Sequence, residues 1–361
     1  MKKTQDRVLY IDQLKGIAIL LVVLGHFIQY NTVEGNRNIL FGIIYSFHMP
    51  LFMFISGYVA YLTIKPAILD QYFIFLKKKI ITILIPFFTW PLLIKPYFFN
   101  NFYDNNPLKT IEILIKGPSG GLWFLWYLFL LYLLYTLFLA LSIKLNKSYS
   151  VIIDIILCAL VCIIPITIGA LHLITYVDSF LLYYTFFFLG VFVSKYDRIK
   201  RIILTNTVFS LCLIVFMMGS RLYDFNSHTH LNLAVKMVLS ISAINSIYYI
   251  VQKIKWNGFI DKYIREWGKN SLVIYVTQFG LLSILPQSML LPPLNILLLG
   301  FITIILSINT VIVCMAILSI VELSNILNFL LYGRLTNRVK SLVALGDDNY
   351  TIATESTTRP I

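Results

Sequence analysis

Tyr10-Ile-Asp12-Gln-Leu-Lys15-Gly16-Ile-Ala-Ile-Leu-Leu-Val-Val-Leu-Gly25-His26 decides the class of this protein. After Lys15 the run is apolar on every helical face up to Gly25, so a helix here has no side to show to water. Lys2, Lys3 and Arg7 precede it as they precede a signal peptide. No small-residue cleavage site follows and the run continues to Tyr30, so a retained first transmembrane helix is expected.

The whole chain has the same character. Of 361 residues, 59% are hydrophobic, 15% aromatic and only 12% charged, with a mean hydropathy of +0.83. A soluble domain carries roughly a quarter charged residues. Apolar content this high excludes a soluble enzyme, a secreted disulfide scaffold and a disordered chain. With ~20 residues per crossing, about ten segments are long enough to span a bilayer. They fall at 11–30, 39–62, 73–94, 121–143, 150–170, 173–194, 201–219, 231–252, 269–286 and 295–322. Pro86, Pro91 and Pro165 are expected to kink their helices. The expectation is an all-α, polytopic membrane protein.

Charge gives the orientation. Of 29 Lys and Arg residues, six (Arg37, Lys95, Lys109, Lys116, Arg221 and Lys236) fall on one side of that arrangement and 23 on the other. Basic residues collect in the cytoplasm, so both termini are expected inside. The net charge of +13 is then mostly topology, and no nucleic-acid partner is needed. Residues 1–340 read as one integral-membrane domain and 341–361 as a polar, disordered cytoplasmic tail. Cys158, Cys162, Cys212 and Cys314 lie in apolar runs and read as buried thiols, not disulfides or a metal site.

Polar residues inside a membrane are costly, and function is sought among them. Lys15 and His26 are eleven residues apart, which at ~100° per residue places them ~20° from a common face and ~16 Å apart along the axis. Asp12 and Gln29 lie near that face, and Gly16 and Gly25 allow close approach. In the second span His48 lies about nine residues, ~14 Å, from the outer end, level with His26. Each histidine has a plain reading as interhelical glue, and His48 also as a partner for backbone freed by Pro50. Lys77, Lys78 and Lys79 open the third span, where a headgroup role competes with donor binding. A neutral, enclosed histidine suits a general base or proton relay. Basic residues at the cytoplasmic end suit a phosphate-bearing donor. Most Tyr and Phe are expected to face lipid or to fill packing gaps.

Asp12-Gln-Leu-Lys15-Gly16-Ile-Ala18 followed by His26 resembles the first-helix signature of the acyltransferase-3 family of bacterial membrane acyltransferases. Ser46-Phe-His48-Met-Pro50-Leu-Phe-Met-Phe-Ile-Ser56-Gly57-Tyr58 is similar to its second-helix motif, and Gly121-Leu-Trp123-Phe124-Leu-Trp126 to its tryptophan-led fourth helix. Gly268-Lys-Asn-Ser271-Leu-Val-Ile-Tyr275 resembles its late Gly-x-x-Ser-Leu-x-x-Tyr segment. The resemblance implies transfer of an acyl group, most often acetyl, from cytosolic acyl-coenzyme A to a hydroxyl of an envelope polysaccharide or lipid-linked glycan. It places the chain in the bacterial cell membrane among its lipids, with no bound cofactor and no metal. It gives His26 the role of base or relay and Lys15 that of donor positioning or site orientation. Asp12, His48, Lys77, Lys78, Lys79, Trp123 and Gln278 complete the expected substrate contacts. Direct and relayed transfer both fit.

Two positions depart from the family pattern. Where an Arg-x-x-Arg pair is common, this chain has Lys79 and Thr82, so Lys77 or Lys78 would supply the second cation. Where a histidine often follows the late Tyr, it has Thr277-Gln278, and glutamine can hydrogen-bond but not act as a base. The family's frequent extracytoplasmic hydrolase-like domain is not expected in these residues, so the membrane unit would act alone or with a partner protein. A glycan-precursor transporter or flippase is the competing reading, although no internal repeat is visible. A glycan polymerase ranks behind both, because the 95–120 loop lacks a cluster of arginines.

Overall fold

The computed structural model describes residues 9–63, 69–94, 106–116, 122–146, 150–171, 177–227, 229–254, 256, 258–283, 291 and 295–334. Sixteen α-helices lie among them. They are α1 (Leu9–Asn31), α2 (Ile39–Tyr45), α3 (His48–Thr63), α4 (Leu69–Lys79), α5 (Ile85–Thr89), α6 (Pro107–Lys116), α7 (Trp123–Leu145) and α8 (Val151–Ala170). The series continues with α9 (Val177–Lys195), α10 (Asp197–Ile203), α11 (Asn206–Gly219), α12 (His230–Lys253), α13 (Gly258–Lys269), α14 (Ser271–Ser283), α15 (Ile296–Val321) and α16 (Asn325–Tyr332). The protein is all-α and polytopic.

Each of the ten expected segments contains helix, but not each is one long rod. Among the described residues seven segments are long and apolar enough to cross a bilayer, and α10–α11, bent by 60°, would make an eighth. The 73–94 segment falls short because π-helical turns at Ile80–Leu84 and Trp90–Ile94 interrupt it around Pro86 and Pro91. A missing N–H and a ring clash at each proline break the regular ladder. The 269–286 segment contributes the thirteen-residue α14. The 39–62 segment divides between α2 and α3, and Ser46 and Phe47 form a turn between them. The tail 341–361 lies outside the described residues.

Helix α1 is the axis of the bundle: 72% of its spanning stretch is buried, against 22% in α8. It packs against α2, α3, α12, α13, α14 and α15. Two contacts bring backbones together. At one, a Cβ on Gly16 would strike the Ile264 carbonyl of α13, and one on Gly268 the Asp12 carbonyl. At the other, Gly57 of α3 meets Phe187 of α9, and Gly190 meets Phe54. Small residues let helices approach where lipid removes the hydrophobic drive between them. The aromatic residues are more central than expected. Phe186, Phe187, Phe188, Tyr135 and Phe138 are enclosed between α7 and α9 rather than facing lipid.

A buried ionic knot, not anticipated from the sequence, ties α7, α8 and α9. Asp154 accepts from Lys195 Nζ at 2.5 Å, Ser142 Oγ at 2.7 Å, Asn146 Nδ2 at 2.8 Å and the Tyr196 hydroxyl at 2.7 Å. With both charges almost fully enclosed, these extra donors make the pair tolerable.

Candidate active site

His26 stands on α1 five residues before its Asn31 end and is buried. Its Nδ1 lies 3.0 Å from Nε2 of Gln278, a fully buried residue of α14. An amide nitrogen only donates, so Nδ1 accepts and a neutral ring carries its proton on Nε2. Among the described residues the Gln278 Oε1 has no hydrogen-bond partner. Phe279, Tyr30 and Tyr45 enclose the imidazole, with ring centroids 5.8, 6.1 and 6.3 Å away. The Tyr45 hydroxyl donates to Gln29 Oε1 at 2.6 Å, which fastens α2 to α1 beside the histidine.

His48 begins α3 with the opposite tautomer. Its Nδ1 is 2.8 Å from the Ile44 carbonyl, which only accepts, so the proton is on Nδ1 and the lone pair on Nε2. The carbonyl freed by Pro50 is that of Ser46, four residues earlier, and Ser240 of α12 donates to it at 2.6 Å. His48 therefore does not serve the backbone gap left by Pro50. The Tyr45 ring lies 4.5 Å from His48 and 6.3 Å from His26, so one phenol joins the two imidazoles.

Trp123 opens α7 and stacks on Tyr183 at 5.0 Å and 27°. Tyr183 leads to a residue the sequence reading counted only as an outer cation. Lys236 sits six residues inside α12, half-buried, its ammonium 6.0 Å from the Tyr183 ring and 5.4 Å from Tyr223. His26 and Lys236 are both within electrostatic range of His48. The signal was present: Ala234-Val-Lys236-Met-Val-Leu239 sets a charge in an apolar run.

Above this group opens a cleft of about 990 Å³, walled by Gln29 and Tyr30 of α1, Asn38 before α2, and Arg221, Tyr223 and Asn226 between α11 and α12. Gln29 and Tyr30 are the third and fourth residues after His26, so the cleft reaches within one helical turn of the imidazole.

The remaining expected site residues gather at the other end of α1. Asp12 is buried, ~21 Å along the helix from His26, and Lys15 is half-buried, ~16 Å from it. Beside them α13 supplies Asp261, which accepts from Gln13 at 2.7 Å and pairs with Arg265 at 2.8 Å. Lys77 is exposed and Lys78 half-buried in the last turn of α4. Lys79 lays its ammonium 4.2 Å from the Tyr132 ring of α7 and 5.1 Å from Phe75. The Thr82 hydroxyl donates to the Lys78 carbonyl at 2.9 Å. Tyr132 is nine residues, ~14 Å, along α7 from Trp123. The structure thus brings His26, His48, Trp123 and Gln278 together at one end. Asp12, Lys15 and the lysine triplet stand at the other.

The described residues form a polytopic membrane bundle around an enclosed, hydrogen-bonded histidine. The family model described as an acyltransferase domain matches residues 8–319, and the chain belongs to the acyltransferase-3 family. It is similar to the nodulation protein NolL of Sinorhizobium fredii, 31% identical over 194 residues that cover 51% of this chain and 48% of that one. The NolL of Mesorhizobium japonicum is 48% identical over 61 residues, 16% of each chain. The matches thus span about half, or less, of these relatives. No solved structure matches.

Proposed function

We propose that the protein moves an acyl group, acetyl in the simplest case, from cytosolic acyl-coenzyme A to a hydroxyl of a cell-envelope polysaccharide or lipid-linked saccharide. The observation that carries this is the enclosed His26, held at Nδ1 by Gln278, within one turn of a polar cleft. With Nδ1 engaged, Nε2 is the nitrogen left for the reacting groups.

Acyl transfer to an alcohol needs a base for the hydroxyl proton while the oxygen attacks the thioester carbonyl, and an acid for the departing thiolate. In the resting tautomer His26 offers Nε2–H, a donor. Turning the Gln278 amide over brings its unpartnered Oε1 against Nδ1, moves the ring proton there and frees the Nε2 lone pair for the acceptor hydroxyl. The proton taken up then leaves with the thiol of coenzyme A. Asp12, Lys15 and the Lys77–Lys79 end, with its local excess of cations, suits the phosphates of the donor. The ~16 Å between that end and His26 suits a thioester carried on a slender arm. No metal or resident cofactor enters this reading, and the basic asymmetry supports a multi-pass protein of the cytoplasmic membrane with the cleft outside.

The test is His26→Ala in the native host. Mass spectrometry of the envelope glycans should lose an ester-linked mass while the variant protein stays in the membrane. Unchanged acylation would remove His26 from the chemistry.

A further inference from the structure

The Lys236 ammonium stands between two tyrosine rings, and among the described residues no carboxylate pairs with it. A half-buried cation inside a span is costly and calls for a counter-ion. Its neighbour Tyr223 is a wall of the cleft, which puts Lys236 immediately behind that wall. Arg221, on the same wall, likewise has no carboxylate partner among the described residues. Arg37 is matched by Glu34 at 3.1 Å, and Asp224 turns Oδ1 to the Asn226 N–H at 2.9 Å. The lining itself carries Arg37, Arg221, Glu34 and Asp224, with Arg37 and Glu34 paired, and Lys236 behind Tyr223 adds a cation to that balance. Most of the remaining lining is amides and aromatic rings, alongside Thr32, Ser220, Ile39 and two glycines. Amides hydrogen-bond sugar hydroxyls, and rings such as Tyr30 and Tyr223 cover apolar sugar faces.

We propose that the cleft between the α1–α2 turn and the α11–α12 connection binds an anionic saccharide, whose acid group is held by Lys236 with Arg221 at the entrance. The inference rests on the acyl-transfer reading for its consequence, because the bound sugar would present a neighbouring hydroxyl to His26. Its core claim is one of binding. A uronate carboxylate and the phosphate of a lipid carrier share the required chemistry.

The experiment uses the full-length protein in lipid nanodiscs, with oligogalacturonate and its methyl ester as probes of equal shape and different charge. Binding is read by tryptophan fluorescence, and transfer with radiolabelled acetyl-coenzyme A. Wild type should bind the free acid about tenfold tighter than the ester, since a desolvated charge pair is worth at least that. Lys236→Met should lose that preference and leave ester binding unchanged, while Lys236→Arg retains it. Arg221→Gln, at an exposed position, should weaken acid binding while the protein keeps its thermal unfolding temperature. A polyprenyl phosphate is the second arm. If it binds in a Lys236-dependent way and the uronate does not, the anion is the carrier's phosphate. Equal binding of acid and ester with no Lys236-dependent phosphate binding overturns the proposal, and so does an equal loss for both probes in Lys236→Met. Acetyl transfer without charge preference would sink this inference and leave the acyl-transfer reading standing. Charge preference without transfer to any acceptor would do the reverse.

Discussion

Gln278→Leu removes the one hydrogen-bond partner of His26 Nδ1 and keeps most of the side-chain volume. If Gln278 sets the ring and its tautomer, the loss belongs to the chemical step. We expect kcat to fall by about tenfold to a hundredfold, with KM for donor and acceptor nearly unchanged. Gln278→Glu keeps an oxygen that accepts from Nδ1–H, so it should recover much of the rate. A rise in either KM with kcat intact would instead make Gln278 a substrate contact, as the sequence reading had it. The resemblance marked Gln278 only as a departure from a histidine and an expected substrate contact. Its place against His26 is a contact across 252 residues of chain, which spacing along one helix does not reveal.

Among elements, the α2–α3 break offers a clean cycle. Pro50 lacks the N–H that would reach the Ser46 carbonyl, and Ser240 fills the vacancy from α12. Ser240→Ala should destabilise the folded protein by about 1–2 kcal/mol, the usual cost of stranding a buried acceptor. In a Pro50→Ala background the restored N–H serves Ser46, and the same substitution should cost almost nothing. Thermal unfolding of the four proteins in one detergent reads both values; a cost that persists in the Pro50→Ala background would make Ser240 a packing residue only. The elements themselves were largely legible. Apolar runs of span length marked ten segments that each hold helix, of which seven, or eight with the bent α10–α11 pair, are long and apolar enough to cross a bilayer among the described residues. What escaped was how they interrupt. Pro86 and Pro91 signalled kinks but not the π-turns around them, and the stretch between the 231–252 and 269–286 segments was expected to hold no span. It forms α13, because Phe259, Ile260, Tyr263 and Trp267 recur on one side of a charged helix. The Asp154–Lys195 knot was invisible for the reason that hid Gln278: its members come from three helices.

At the scale of the whole molecule, everything turns on which end faces which compartment. The cation-rich Asp12–Lys15 end and the cleft end are joined by a single continuous α1, so assigning one assigns both. The positive-inside rule puts the 23-residue majority in the cytosol and the cleft outside, where an envelope saccharide could reach it. Two single cysteines, in a protein whose native Cys158, Cys162, Cys212 and Cys314 are replaced by alanine, decide the matter. Leu108, 76% exposed on α6, falls between the third and fourth expected spans, and Leu323, 87% exposed just after α15, follows the last, so the expected order of spans sets them on opposite sides. A membrane-impermeant maleimide added to intact cells should label Leu108→Cys, and should label Leu323→Cys only after the membrane is opened. The opposite pattern would place the cleft in the cytosol. The donor would then have to reach the lysine end from outside, where acyl-coenzyme A is not supplied, and the direction of transfer proposed above would fall with it.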